Sequence, residues 1–480
     1  MRKFTAKSNS SIGVGQLAFT FGFPKDEAQE TECNGPQASS ASSVVGKGQE
    51  RKENAPKRKW NSLIDKVYAL PNLQSAWQRV RANNGAAGID GMTVKQFAVN
   101  HVERLEQLSS DLRAKRYRPQ PVRRKLIPKS GGGNRPLGIP TVRDRIVQQA
   151  LLQILEPIFE AKFSTRSHGF RKERGCATAL SVVDRAVRHG YTHVVDADIR
   201  TFFDTVDHEK LLDAVNEEVA DGSVLKLIRH ILTAGVVLPE ASDAEPAELG
   251  TPQGGPLSPL LANIYLHRLD ARMVEAGFGL VRYADDFVVF ARSEDEAAQA
   301  LNLAREVLEG ELGLVLHPEK TRVVSVAEGF EFLGFHYFCR PKTGLMAKEV
   351  RRKSVHRFRG AVRLRTPRLR TQRAFKREHV VFERLAKNQR LGTIIHRLNL
   401  YLSGWHWYFK SVWWRHDTAF GSFDSTVRRR VRLSITGRVG NGWWNELITN
   451  DMLSKLGLVS LTELHKKYLL GLRSKPARKG

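Results

Sequence analysis

Two adjacent aspartates, Asp285 and Asp286, sit between apolar runs in the stretch from Leu280 to Phe290. Both flanks are rich in β-branched and aromatic residues, which favour extended backbone, while Ala284 and the aspartates suit a tight connection between them. The stretch therefore predicts a β-hairpin with carboxylates at its tip. Aspartate is also an ordinary turn residue, so the pair gains chemical meaning only if partners lie elsewhere in the chain.

A partner is visible in His193-Val194-Val195-Asp196-Ala197-Asp198-Ile199. Alternation puts Val195, Ala197 and Ile199 on one face of a strand and Asp196 and Asp198 on the other. Acids near a core must be paired, protonated or bound to a cation, and a divalent metal is the simplest neutraliser; the alternative is an exposed edge strand with solvated acids. Asp198, Asp285 and Asp286 on neighbouring strands can hold two divalent cations ~3.5–4 Å apart, an arrangement suited to in-line displacement at phosphorus. Mg²⁺ fits such an oxygen-only site best, with Mn²⁺ as a substitute.

Around these acids the chain reads as alternating helices and strands. Order is expected from Trp60, with Leu63, Val67, Leu73, Trp77 and Val80 at helical spacing around Pro71. Lys125 to Pro140 reads as strand, glycine-rich turn and strand, with the cations Lys129 and Arg135 flanking a turn whose amides can face phosphate oxygens or merely close a hairpin. Thr141 caps a helix through Asp144. Phe202-Phe203-Asp204 leads into a helix carrying Leu211, Leu212 and Val215. The loop from Gly250 to Leu257 contains Gln253 and runs into a helix with Ser258 as N-cap and Pro259 at its first position. Strands at Val323 to Val326 and at Phe330 to Phe338 follow Lys320.

From Arg351 the composition turns helical and arginine-rich, with an aromatic cluster from Trp405 to Trp414 that reads mainly as core. The formal charge is +27, from 77 Lys+Arg against 50 Asp+Glu, which points to a polyanionic partner, nucleic acid before a membrane surface. No apolar run approaches the ~18 residues that span a bilayer. Three scattered cysteines, without metal-ligand spacing to histidine, fit a reduced, zinc-free, intracellular setting, and the apolar N-terminal stretch is too broken for a secretory signal. Residues 24 to about 58 hold almost no large apolar side chain and read as a flexible tail.

Taken together, Tyr283-Ala284-Asp285-Asp286, Asp198-x-x-x-Phe202-Phe203-Asp204, Pro252-Gln253-Gly254 and Phe332-Leu333-Gly334-Phe335 resemble the reverse transcriptases encoded by bacterial group II introns, over roughly residues 60 to 475. The resemblance implies an α+β right-hand polymerase. It divides the chain into a tail over 1–58, fingers and palm over 59–345, and an α-helical thumb with a maturase (X) domain over 346–480. It implies a metal triad of Asp198, Asp285 and Asp286, with the Ile199 carbonyl as a further ligand, and Lys320 as general acid beside the leaving pyrophosphate. Phe203, or else Phe202, would exclude a ribose 2′-hydroxyl; Lys129, Arg135 and Gln253 would hold the incoming nucleotide; Arg428 and Arg429 would meet RNA. The implied partners are intron RNA as template, a DNA primer or target and deoxynucleoside triphosphates, in a bacterial cytoplasm, with the oligomeric state open and a dimer included. The sequence shows no cysteine–histidine cluster of the endonuclease found in many relatives, so it resembles the endonuclease-lacking kind. A maturase with a vestigial polymerase site, or an enzyme of phage defence or diversity generation, are the alternatives.

Overall fold

The computed structural model describes residues 59–128, 134–237, 244–245, 249–251, 254–340, 344–369, 382–412, 420–436 and 448–473. The expected tail, Lys129, Gln253, Trp413 and Trp414 lie outside them, and of Arg135 only the backbone is described.

The chain opens with helices α1 (Ile64–Tyr68), α2 (Leu70–Asn83), α3 (Val94–Val99) and α4 (His101–Arg113). Pro71 falls in the first turn of α2, where its missing N–H has no intrahelical use. Strands β1 (Val122–Pro128) and β2 (Asn134–Ile139) form the expected antiparallel hairpin, with Ile127 opposite Arg135. Helix α5 (Val142–Glu160) starts where Thr141 Oγ1 accepts from the Asp144 amide at 3.1 Å. Next come α6 (Cys176–Arg188), β3 (His193–Asp198), the short α7 (Phe202–Thr205), α8 (His208–Asn216) and α9 (Gly222–Leu232). Strands β4 (Val236–Val237) and β5 (Ala244–Glu245) extend the first hairpin into a four-stranded sheet, order β2-β1-β4-β5.

Helix α10 (Ser258–Glu275) precedes the hairpin of β6 (Gly279–Tyr283) and β7 (Asp286–Ala291). Ser258 is not the N-cap: the amides of Leu260 and Leu261 already bond the Leu257 carbonyl, so the helix starts one residue earlier and Leu257 caps it without a side-chain bond. After α11 (Glu294–Arg305) and a π-helical turn (Glu306–Glu311), β8 (Arg322–Ser325) completes an antiparallel sheet of order β6-β7-β3-β8.

The run from Phe330 to Phe338 is two strands rather than one, β9 (Phe330–Phe332) and β10 (Phe335–Cys339). Leu333 and Gly334 both take positive φ, +45° and +83°, and turn the chain back in two residues. A further strand, β11 (Met346–Val350), pairs with β10, so strand structure continues past residue 345. The described elements that follow are helices: α12 (Arg352–Arg365), α13 (Phe382–Ala386), α14 (Gln389–Phe409), α15 (Gly421–Thr436), and two helices at Asn450–Lys455 and Leu461–Arg473. Among the described residues no helix is long and apolar enough to cross a membrane.

The sheet β6-β7-β3-β8 separates two apolar cores. Val195, Ala197, Leu280, Phe287 and Val289 belong to a core shared with α2, α5, α8, α10 and α11. Val194, Val281, Val288 and Phe290, the alternate residues, belong to a second core with α6, α12, α14 and α15. Burial on both faces explains why these strands read as nearly continuous apolar runs. Each fully buried large side chain contributes about 1.5–3 kcal/mol of transfer free energy.

A charged group is buried against the second core. Lys348 on β11 is fully buried, and its Nζ donates to both Asp184 oxygens at 3.0 Å and to Ser411 Oγ at 3.1 Å, while Tyr337 Oη donates to Asp184 at 2.8 Å. Burial pulls the Lys348 pKa down and the Asp184 charge opposes that pull. Asp184→Ala strands an ammonium without its counter-charge, so unfolding in denaturant should register a loss of about 3–5 kcal/mol, largely recovered by adding Lys348→Met. A loss below about 1 kcal/mol would show that Asp184 is not the counter-charge of Lys348.

Candidate active site

Asp198 and Asp286 face each other directly, as the last cross-strand pair of β3 and β7. Asp285 precedes Asp286 in the hairpin tip, which consists of Ala284 and Asp285 only; Asp286 is already the first residue of β7. Asp196 lies two residues back on the same face as Asp198, opposite Arg322, whose Nη2 is 3.6 Å from its carboxylate. The four acids crowd one end of the sheet. Burial, then the charges of Asp285, Asp196 and Asp198, push the Asp286 carboxyl up to about 7, with Arg351 opposing. Asp196 is pushed up to about 6, again by burial first, against the pull of Arg322. Such a cluster favours whatever cation reaches it.

The hairpin is held in place by a residue that the sequence reading passed over. Arg282, wholly buried on β6, donates from Nε and Nη2 to Asp270 of α10 at 2.7 and 2.5 Å, and Asp270 is equally buried. Its Nη1 donates to Asn263 Oδ1 at 3.1 Å and to the Ala284 carbonyl at 2.9 Å. Ala284 has φ +58°, a conformation that costs a non-glycine residue about 1–2 kcal/mol, and the guanidinium bond to its carbonyl secures it. The segment Arg166 to Phe170 closes over the outside. Arg282 N donates to Arg166 O, His168 N donates to Arg282 O, and Asn263 Nδ2 donates to Gly169 O at 2.8 Å. A Cβ on Gly169 would stand 2.4 Å from the Ala284 nitrogen, so only glycine fits there. The available signal was Arg282 itself, a charge inside an apolar strand that needs a buried partner.

Beside Asp198, the chain from Leu316 returns along the strand end. Ile199 bridges Leu316, His317 N donates to the Asp198 carbonyl at 2.8 Å, and Lys320 Nζ donates to Asp198 Oδ2. Lys320 is therefore at the site, in the position a cation would take. Phe202 and Phe203 are both buried on α7, their rings edge to face at 5.1 Å. Thr251 N donates to the Phe203 carbonyl at 2.7 Å and His208 Nε2 bonds the Gly250 carbonyl at 2.7 Å, which docks the loop leading to Gln253 against Phe203. At the loop's far end Gly254, φ +128°, lies against the Gly138 carbonyl of β2, at 2.4 Å from where a Cβ would be. The described ends of this loop thus touch α7 on one side and β2 on the other. Thr251 Oγ1 and Gln148 Oε1, buried on either side of it, have no partner among the described residues, and neither was singled out in the sequence.

His168 is buried, bonds Thr178 Oγ1 at 2.9 Å, and is held neutral, down to about 4, by burial and by the surrounding arginines. It serves the structure and faces no solvent. Arg428 and Arg429 lie on α15, remote in sequence and element from the carboxylates, the first half-buried and the second exposed.

The donor set suits an oxygen-seeking divalent cation: three carboxylates, no thiolate or imidazole among them, with burial first and the neighbouring acids second raising the proton affinity of Asp286. Among the described residues, however, no three such groups converge tightly enough to ligate an ion as they stand, and Lys320 occupies one Asp198 oxygen.

The reverse transcriptase (RNA-dependent DNA polymerase) family matches residues 127–337, the span from β1 to β10. Protein YkfC of Escherichia coli (strain K12) is 35% identical over 294 residues, which cover 53% of this chain and 76% of YkfC. The group II intron-encoded protein LtrA of Lactococcus lactis subsp. cremoris is 42% identical over 198 residues, 41% of this chain but 32% of LtrA. A chain of a partial Cas6-RT-Cas1–Cas2 complex aligns over 52% of this chain and 41% of its own at 26% identity, with a TM-score of 0.34.

In metal-stripped protein the folded chain keeps a proton on Asp286 that the unfolded chain releases. Because the folded pKa is raised from 3.8 to about 7, the native state binds more protons across that window and stability falls as pH rises through it. Asp286→Asn should remove this component, so that unfolding free energies measured with chelator at about pH 5 and about pH 7.5 differ less in the variant than in wild type. Identical pH slopes would contradict the crowding of charge at Asp286.

Proposed function

The chain belongs to the reverse transcriptases encoded by group II introns, and from that footing we propose that it extends a DNA primer on an RNA template and assists the splicing and mobility of an intron RNA. The observation that carries this reading is the direct pairing of Asp198 with Asp286, with Asp285 beside them, on a clamped hairpin tip. We assign fingers to the helices and sheet around β1 and β2, palm to the carboxylate sheet and its helices up to Val350, and thumb and maturase functions to the helices that follow.

Asp198, Asp285 and Asp286 would hold Mg²⁺, with the Ile199 carbonyl beside them. When bound, a pair of such ions supplies activation of the primer 3′-hydroxyl and charge neutralisation at the phosphorus under attack. The protein's own groups do the rest. Lys320, once released from Asp198, stands ready to give a proton to the departing pyrophosphate. Phe203, fixed through its carbonyl by Thr251, presents a rigid ring next to the Gln253 loop and excludes the 2′-hydroxyl by volume, with Phe202 packed behind it. Lys129, Arg135 and Gln253 are assigned to the incoming triphosphate. Arg428 and Arg429 contact RNA phosphates.

Purified chain should extend a DNA primer on RNA with Mg²⁺. Asp285→Asn should lower that rate by at least about a hundredfold, because a lost ligand removes several kcal/mol of transition-state stabilisation, without lowering the melting temperature. Extension by the variant within about tenfold of wild type would overturn the assignment.

A further inference from the structure

We infer that Tyr265 is a positioning residue for Asp198, acting through the π-helical turn that ends α11 and sends the following segment back along the end of β3. This deepens the polymerase reading and rests on it for its kinetic consequences. Strand β8 pairs with β3 only as far as Asp196. Beyond that point the edge of β3 away from β7 is held by residues 315–317: Arg200 N donates to Val315 O at 2.8 Å, and His317 N donates to Asp198 O at 2.8 Å. Ile199 and Leu316 therefore form a non-hydrogen-bonded antiparallel pair, and the Leu316 amide points away from the strand. On this side Asp198 keeps its place only as far as residues 315–317 keep theirs.

Donors from two other helices fix where that segment starts. At the π-helical turn Glu306–Glu311 the amides reach back five or six residues where an α-helix would reach four: Leu312 N donates to Val307 O at 2.9 Å and Leu314 N to Leu308 O at 2.7 Å. A helix end leaves carbonyls without an intrahelical amide, and here side chains supply the donors. Lys210 Nζ of α8 donates to Glu311 O at 2.8 Å, and Tyr265 Oη of α10 donates to Leu312 O. Gly313, φ +70°, then turns the chain, so that Leu312, Leu314 and Leu316 all enter the first core. Glu309 Oε1, from the π-helical turn itself, accepts from Leu316 N at 3.3 Å, taking the amide that faces away from β3.

Tyr265 is 1% exposed, on the helix that also carries Asn263 and Asp270. Those two residues hold Arg282 and, through it, the Ala284 carbonyl at the carboxylate hairpin. One helix thus fixes both sides of the carboxylate pair: Asp286 by way of Arg282, and Asp198 by way of Leu312 and the segment that follows it. Without the Tyr265 hydroxyl the Leu312 carbonyl loses its donor, and the segment is free to shift along the end of β3. A shift of about 1 Å at a reacting centre can lower a rate by about a hundredfold. A tyrosine that only fills the core would be replaced by phenylalanine without such an effect.

The test compares wild type with Tyr265→Phe in the full chain. Hydrogen exchange is read without metal or substrate at the amides of Arg200, Leu316 and His317, with those of Val194 and Val195 in the middle of β3 as the internal reference. Single-nucleotide extension with Mg²⁺ gives kcat and KM for the deoxynucleotide. Tyr265→Phe should speed exchange at the first three amides between about threefold and tenfold while the reference amides keep their protection. It should lower kcat between about tenfold and a hundredfold with KM within about twofold, since the nucleotide is bound elsewhere and only the reacting geometry is disturbed. Unchanged exchange at Arg200, Leu316 and His317, protection lost evenly along β3, or a wild-type kcat would each overturn the inference. Should Tyr265→Phe fail to fold, Lys210→Met, which removes the donor to the neighbouring Glu311 carbonyl, decides by the same readings. If wild type extends no primer, the functional reading fails while hydrogen exchange still decides whether Tyr265 positions the end of β3.

Discussion

The buried pair of Arg282 and Asp270 is the interaction on which the site depends. Two charges without solvent are expensive, and their attraction compensates only when the geometry is bidentate and the remaining donors are used. Both conditions hold: two guanidinium nitrogens meet the two Asp270 oxygens, and the third bonds Asn263 and Ala284. Removing either partner would cost about 3–5 kcal/mol by the general behaviour of buried pairs. What the pair secures in return is location. Ala284 stays left-handed, Asn263 reaches on to Gly169, and Asp285 at the tip and Asp286 at the strand end are kept beside Asp198.

That constraint explains how repelling carboxylates can be kept together. A flexible loop would relieve the repulsion by moving apart; a hairpin pinned at its tip by Arg282 and at its edge by Gly169 retains it, and the repulsion adds to the larger effect of burial in raising the proton affinity of Asp286. Lys320 and Arg351 answer part of the charge from two other directions. The sheet bearing the acids is also the wall between two cores, so the C-terminal helices are not an appendage. Val194, Val288 and Phe290 of the carboxylate sheet share one apolar core with Trp405, Phe423 and Val431. The change of composition near Arg351 marks the start of α12 and no gap in packing.

The elements governed by short-range rules were legible in the sequence: the hairpin about Asp285, the alternation in β3, the Thr141 cap and the Pro71 helix start. Their signals lie in neighbouring residues. What escaped depends on contacts distant along the chain. Arg282 reads as one charge in a strand until Asp270 is placed twelve residues away, and Gly169 reads as a loop glycine until it meets Ala284 more than a hundred residues later. The break at Leu333-Gly334 was hidden because phenylalanines on both sides keep up a strand-like composition. Strand β11 was hidden because Lys348, a charge, is buried by Asp184 from another element. The leading alternatives left open at Phe202 and Phe203 narrow only in that Phe203 carries the loop contact.

The central claim is that this clamped arrangement exists to gather divalent cations at Asp198, Asp285 and Asp286. It is tested most directly by growing crystals of the full chain with primed RNA, a non-reactive deoxynucleotide and Mn²⁺, and locating manganese by its anomalous scattering. The account predicts manganese against all three carboxylates, with Lys320 withdrawn from Asp198 and the Arg282–Asp270 pair unchanged. Manganese found only elsewhere, or a hairpin that unfastens from Arg282 to let the carboxylates reach it, would contradict the account.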